Sequence, residues 1–246
     1  MRRRFFVERF DGRRAVLEGD AAHHAARVLR AAPGQMYELS DGRAVWLARV
    51  TAARGGAVEF ELAEPVAAQP PAVPISLLLA IVKFDRFEWA LEKATELGAA
   101  QITPLAAARS EKALVAAAAK RAARWQKILT EAAQQSRQMR APVLHPATRA
   151  DDAFRAARSA ADAGGTALLF FSEFPGAPPL RSVLGNRTGV RGAVIAIGPE
   201  GGWTEEERSA ALAAGFAEAG LGPTILRTET AVAAALGAVI YALADS

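Results

Sequence analysis

Two stretches near the C-terminus hold residue types at spacings that could do chemistry. In the first, Ala193-Val-Ile-Ala-Ile197 runs straight into Gly198-Pro199-Glu200-Gly201-Gly202. Glycines at this density let a backbone approach a ligand and turn its N–H and C=O groups toward it. Pro199 stiffens the turn, and Glu200 sets a carboxylate beside it. Such a loop suits a cationic or amine-bearing ligand; a tight strand-to-helix turn is the plainer alternative. The second stretch is Leu221-Gly-Pro-Thr-Ile-Leu-Arg-Thr-Glu-Thr-Ala231. Here Arg227, Thr228, Glu229 and Thr230 crowd the entry to a helix. One threonine can cap that helix, and Arg227 can hold a phosphate or a carboxylate bidentately.

Other chemistries lack their residues. There is no cysteine, which removes disulfides, thiolate metal sites and cysteine nucleophiles. His23, His24 and His145 lack metal-ligand spacing, so no metal is expected. No G-x-G-x-x-G follows a strand, and neither a P-loop nor a G-x-S-x-G elbow is present. The opening Met1-Arg-Arg-Arg-Phe-Phe-Val7 is basic, but no apolar h-region follows it. No apolar run reaches the roughly 18 residues that span a bilayer. These features predict a soluble cytoplasmic protein with no membrane partner.

The elements that must position the two stretches fall into two regions. Residues 4–8, 36–40, 44–50 and 58–62 read as short strands, with Asp41-Gly42 and Gly55-Gly56 as hairpin turns. A helix near residues 20–30 is capped by Asp20 and ended by Pro33-Gly34. Residues 1–70 thus predict a small β-barrel. Four prolines between residues 64 and 74 (Pro65, Pro70, Pro71, Pro74) mark a linker. From residue 75 to 246, apolar strands at 75–82, 101–105, 166–171, 193–197 and 221–226 alternate with helices at 85–98, 113–140, 204–215 and 230–243. Thr204 and Glu207 form a capping-box pair. Continuous apolar strands between helices predict a mainly parallel α/β sheet. In such a sheet ligands bind beyond the carboxyl ends of the strands, where both stretches lie.

The 246 residues carry a formal charge of +4. Between Arg109 and Arg140 there are eight basic residues and two acids, Glu111 and Glu131. That local excess suits a phosphate-facing surface better than an average solvated face.

Taken in order, these segments resemble the RsmE family of 16S ribosomal RNA uracil-N3 methyltransferases, within the SPOUT superfamily. Arg3-Arg-Phe-Phe-Val7 resembles the family's opening. His23-His24 with Arg27-Val-Leu-Arg30 resembles its H-H-x-x-x-V-L-R segment. Lys93-Ala-Thr-Glu-Leu-Gly98, Pro104-Leu105 and Arg109-Ser110 resemble the central block, and Arg124-Trp-Gln-Lys-Ile128 with Glu131-Ala-Ala-x-Gln-Ser136 resemble the long helix. Ile197–Gly202, Leu221-Gly-Pro223 and Leu226–Ala231 resemble the two cofactor loops.

The resemblance implies an N-terminal PUA-like barrel over residues 1–70. It implies a SPOUT domain over 75–246 with a C-terminal trefoil knot, acting as a homodimer. The implied cofactor is S-adenosylmethionine. It would be held by Phe171, Ser172, Ile197, Gly198, Pro199, Glu200, Gly201, Gly202, Leu221, Gly222, Leu226, Thr228, Thr230 and Ala231, with Trp203 lining or covering the pocket. The implied partner is 16S ribosomal RNA in the small subunit, contacted by Arg2, Arg3, Arg4, Arg27, Arg30, Arg109, Lys112, Arg137 and Arg140. Uracil N3–H is a weak acid, and each pH unit below its pKa costs about 1.4 kcal/mol to reach the anion. Arg227 could stabilise that anion, and Glu229 or Glu200 could take the proton; a purely positional mechanism stays open. Two rival readings remain. One is a SPOUT enzyme acting on another RNA target such as a ribose 2′-hydroxyl, whose last loop is usually asparagine- and serine-rich. The other is a non-catalytic ribosome-assembly factor that kept the fold.

Overall fold

The computed structural model describes residues 3–67, 73–161, 165–185 and 189–243. Arg2, Pro70 and Pro71 lie outside the described residues. The chain divides into two compact units, residues 1–70 with 133–141, and residues 71–132 with 142–246.

The first unit is a five-stranded curled sheet. Its strands are β1 (Arg4–Phe6), β2 (Arg14–Leu17), β3 (Met36–Ser40), β4 (Val45–Arg54) and β5 (Ala57–Pro65), in the order β1-β3-β4-β5-β2. β1 and β2 do not pair among the described residues, so the expected barrel is a half-barrel. Alternate residues of β2 and β5 point inward, and Phe5, Leu17, Leu39, Val50, Phe60 and Leu62 fill the core. The expected helix at 20–30 is a short α1 (Gly19–His23) that passes into a π turn over His24–Val28. Asp20 does not cap it: the cap position is Glu18, and Asp20 sits in the first turn.

In this unit Arg4 is a structural residue. It is 4% exposed. Its guanidinium donates to Glu38 Oε2 at 2.9 Å and to the carbonyls of Arg137 and Gln138, and Ser40 Oγ donates to the Met139 carbonyl at 2.6 Å. The expected phosphate contact by Arg4 is therefore corrected, because its charge is already balanced and buried.

The second unit is a parallel sheet covered on both faces. Its strands are β6 (Ile75–Ala80), β7 (Ala99–Ala106), β8 (Val143–Leu144), β9 (Thr148–Arg149), β10 (Thr166–Phe171), β11 (Gly192–Ile197) and β12 (Ala217–Ala219). The order is β12-β10-β11-β6-β7-β8, with β9 beside β7, and every pairing is parallel. The helices are α2 (Phe84–Glu96), α3 (Lys112–Gln135), α4 (Ala150–Ala161), α5 (Leu180–Leu184), α6 (Glu205–Ala213) and α7 (Thr228–Leu243). Leu78, Ala80, Leu168, Phe170, Val194 and Ala196 pack with α4 and α6 around Phe154, Trp203 and Phe216. α2 and α7 pack on each other, α2 against β7 and α7 against β11. Burial on two faces explains why these strands read as unbroken apolar runs.

Two sequence expectations are corrected in this unit. Residues 221–226 form a loop, and the last strand is β12, which takes the sheet edge beside β10. With three prolines or glycines in residues 220–223, that stretch cannot sustain a ladder. The long helix ends at Gln135, so Arg137 and Arg140 are not helical; Arg137 adopts a left-handed backbone, φ +58°. Among the described residues, no helix is long and apolar enough to cross a membrane.

Candidate active site

Because every strand of the second sheet runs the same way, their carboxyl ends share one edge. The loops at 81–83, 107–111, 172–174, 198–204 and 220–227 collect there.

The glycine loop leaves β11 and is held from several sides. Gly198 packs against the Trp203 indole, so closely that a Cβ there would stand 2.9 Å from Nε1. Trp203 is 1% exposed and donates from Nε1 to the Phe171 carbonyl at 2.9 Å. It is a core residue beneath the loop and belongs to the cluster with Phe154 and Phe170, not a wall or cover of the pocket. Arg109 donates to the Gly201 carbonyl at 2.7 Å. Thr228, buried at the first turn of α7, donates to the Gly198 carbonyl at 3.1 Å. The two stretches singled out by sequence are thus bonded to each other.

α6 then begins with the expected capping box. Thr204 Oγ1 accepts from Glu207 N, and Glu207 Oε2 accepts from Thr204 N. Glu207 Oε1 also accepts from Ala108 N at 2.8 Å, which fixes the loop after β7.

A pocket opens between these loops. It is lined by Phe171 at the end of β10, by Ser172 and Glu173 after it, by Pro199 and Glu200, by residues 221–226, and by Ala231. Of the expected cofactor residues, Phe171, Ser172, Pro199, Glu200, Leu221, Gly222, Leu226 and Ala231 line it. Ile197, Gly198, Gly201, Gly202, Thr228 and Thr230 do not: Ile197 is buried in the sheet, Thr230 is exposed, and Gly198 and Thr228 brace the loops. Ser172 is oriented by donating to Glu218 Oε1 at 2.6 Å. Arg208 donates to both oxygens of the same carboxylate. Those Arg208 bonds hold the Glu218 carboxyl below its ordinary range, burial pushes it the other way, and the Ser172 bond adds to the lowering.

Sequence reading missed two residues here. Arg86, in the first turn of α2, forms an ion pair with Glu200, and its Nε lies 4.0 Å from Glu229 Oε1. Glu229 Oε2 is buried with no hydrogen-bond partner among the described residues. Glu173 lines the pocket directly. Arg86 follows the carboxyl end of a buried strand, and that placement rule alone would have singled it out. Glu173 carried no such signal beyond its neighbour Ser172. Of the three residues expected to be catalytic, Glu200 and Glu229 share Arg86, whereas the Arg227 side chain is exposed and makes no hydrogen bond or ion pair among the described residues.

The expected RNA contacts sort by exposure. Arg27, Arg30, Arg109, Lys112, Arg137 and Arg140 are exposed and Arg3 is half-buried. Arg137 also pairs with Glu38 at 3.7 Å.

The pocket combines apolar walls (Phe171, Leu221, Ile225, Leu226) with two carboxylates and no lysine, arginine or histidine. Such a lining suits a ligand with an apolar ring system and a positive charge.

Comparison with known proteins fits this geometry. The sequence profile of the RNA methyltransferase domain matches residues 69–240. Ribosomal RNA small subunit methyltransferase E of Synechocystis sp. is 37% identical, over 91% of this chain and 71% of the relative. The crystal structure of ribosomal RNA small subunit methyltransferase E from Neisseria gonorrhoeae, bound to S-adenosyl methionine, has a TM-score of 0.84 at 31% identity, covering 97% of each chain. A putative methyltransferase from Legionella pneumophila in complex with the same cofactor has a TM-score of 0.83 at 27% identity, covering 98% of each chain. On the match of the domain profile and of relatives along nearly its whole length, the chain belongs to the ribosomal RNA small subunit methyltransferase E (RsmE) family of RNA methyltransferases.

Proposed function

We propose that this chain methylates N3 of a uracil in 16S ribosomal RNA of the small subunit, with S-adenosylmethionine as methyl donor. The observation that carries the reading is the pocket at the carboxyl edge of the parallel sheet, apolar and carboxylate-lined, in a chain of this family. The residues that line it would hold the cofactor, and Ile197, Gly198, Gly202 and Thr228 would shape it from behind. When bound, S-adenosylmethionine supplies an electrophilic methyl carbon on a positively charged sulfur.

The chain's own residues then align the base and manage one proton. Alignment of N3 with the methyl carbon is the main requirement of an in-line displacement. Arg227, exposed at the entry to α7, is assigned to the uracil anion. Glu229, with one carboxylate oxygen unpartnered among the described residues, is assigned to the N3 proton, and Glu200 stays tied to Arg86.

N3 is a base-pairing atom, so the uridine must be unpaired or flipped out. Arg3, Arg27, Arg30, Arg109, Lys112, Arg137 and Arg140 would hold phosphates, with the half-barrel as a PUA-like RNA-binding domain. We further infer a homodimer, as the resemblance to the family implies. The C-terminal segment through α7 is inferred to be knotted, and the protein to work in the cytoplasm, where small subunits are assembled.

The test is methyl transfer to small subunits that lack the modification, with mass-spectrometric identification of the product nucleoside. 3-Methyluridine in 16S RNA is expected. A 2′-O-methyl nucleoside would overturn the target, and no product together with no cofactor binding would leave a non-catalytic assembly factor.

A further inference from the structure

The candidate cofactor pocket contains an imbalance of charge. Two carboxylates line it and no cation does. Glu200 has its counter-charge in Arg86. Glu173 has no ion-pair or hydrogen-bond partner among the described residues. Its side chain is exposed at the pocket wall. It lies over the glycine loop, where Oε1 would stand 1.7 Å from a Cβ built on Gly202. Gly202 is left-handed at φ +70° and, lacking a Cβ, leaves that space open. On the other side, Ser172 is anchored by its bond to Glu218, which fixes the backbone from which Glu173 departs. The pocket wall therefore presents one uncompensated negative charge beside apolar surface.

A carboxylate without a partner gains Coulomb energy from an approaching cation and none from a neutral thioether. Resting on the function proposed above, we propose that Glu173 reads the positive charge on the sulfur of the methyl donor, so that the pocket prefers the sulfonium to the neutral thioether. S-Adenosylmethionine and S-adenosylhomocysteine share the adenosine, the α-ammonium and the α-carboxylate. They differ by one methyl group and one positive charge. A carboxylate facing the sulfur distinguishes them; one facing the shared ammonium does not. The same preference weakens the hold on the product, which lacks that charge.

The experiment is calorimetric binding of three ligands to the full chain and to Glu173→Gln. The ligands are S-adenosylmethionine, S-adenosylhomocysteine and sinefungin, which carries an amine in place of the S-methyl group. The variant should bind the two ligands charged at that position about fivefold more weakly, the upper end for a partly exposed ion pair. Binding of S-adenosylhomocysteine should stay unchanged, and that binding also reports that the variant is folded. Equal loss for all three ligands would overturn the proposal, because it would place Glu173 on the shared part of the ligand or on the fold. No loss for any ligand would overturn it too. If the wild-type chain binds none of the three, the proposed function falls and this inference with it.

Discussion

Arg86 lies between two carboxylates from different segments, Glu200 in the glycine loop and Glu229 in the first turn of α7. Removing the cation leaves both negative charges, one of them with a buried oxygen that has no other partner among the described residues. Arg86→Ala should therefore cost about 1–2 kcal/mol, between an exposed pair and a buried one. Adding Glu229→Gln to that variant should recover part of the loss, since a neutral amide is cheaper to leave unpaired than a carboxylate. Urea unfolding of the two single variants and the double variant checks this; strictly additive losses would sink it. The glycine loop supports a sharper comparison. Gly198→Ala forces a methyl group into the Trp203 indole at 2.9 Å and threatens the Trp203–Phe171 hydrogen bond, an overpacking expected to cost about 1–3 kcal/mol. Gly201→Ala meets only Arg109 side-chain carbons at 3.4 and 3.5 Å and should be near neutral. Thermal unfolding that lowered both variants equally would show that the loop, not the contact with Trp203, sets the requirement for glycine.

Among the elements, α6 is tied down at its N-terminus more firmly than a capping box alone provides. Glu207 accepts from Thr204 N and also from Ala108 N, so one buried carboxylate closes two backbone donors in two segments. Thr204→Ala should cost about 1 kcal/mol. Glu207→Ala should cost more, about 2–3 kcal/mol, because Ala108 N loses its acceptor as well; chemical denaturation of both variants reads the difference. At the other end of the pocket wall, β12 carries Glu218, whose carboxyl Arg208 holds below the ordinary value of 4.5. A carboxyl lowered in the folded state contributes stability that is full above the unfolded value and is lost as pH falls through the folded one. The melting temperature should therefore decline below about pH 4.5, and the decline should be shallower in Glu218→Gln. These elements were unequally legible in the sequence. The capping box of α6 was visible because Thr204 and Glu207 announce it locally, and β10 and β11 because burial on both faces leaves an unbroken apolar run. α4 was missed: its alanine-rich face buries Ala150, Ala153 and Ala157 around a single large apolar residue, Phe154. The strand expected at 221–226 was misplaced because Ile225 and Leu226 look like strand residues, yet Ile225 is 87% exposed. The ion pairs of Arg86 were not legible because they join residues more than a hundred positions apart.

For the whole molecule, charge is the property whose meaning changes most between sequence and fold. The +4 balance and the arginine-rich composition do not say which cations face outward. Arg4 and Arg27 illustrate the difference, since both were read as phosphate contacts. Arg4 is enclosed by Glu38 and by the carbonyls of Arg137 and Gln138, and through these bonds residues 133–141 join the first unit although about sixty residues of the chain separate them from it. Arg27 is exposed at the π turn. The two should respond oppositely to the same substitution. Arg4→Ala leaves Glu38 buried, with the 3.7 Å contact to Arg137 as its remaining ion pair among the described residues, and should cost about 3 kcal/mol of stability. Arg27→Ala should leave the unfolding transition where it is. If the exposed cations meet ribosomal RNA as proposed, Arg27→Ala should lower the slope of log K against log salt by roughly one, the loss of one phosphate contact. Filter binding to small-subunit RNA over a salt series, run beside thermal unfolding of the same variants, separates the two roles. If Arg4→Ala kept its stability and flattened the salt slope while Arg27→Ala changed neither, the assignment of buried and outward charge in the first unit would be reversed, and the RNA would have to be met by cations that the fold now shows enclosed.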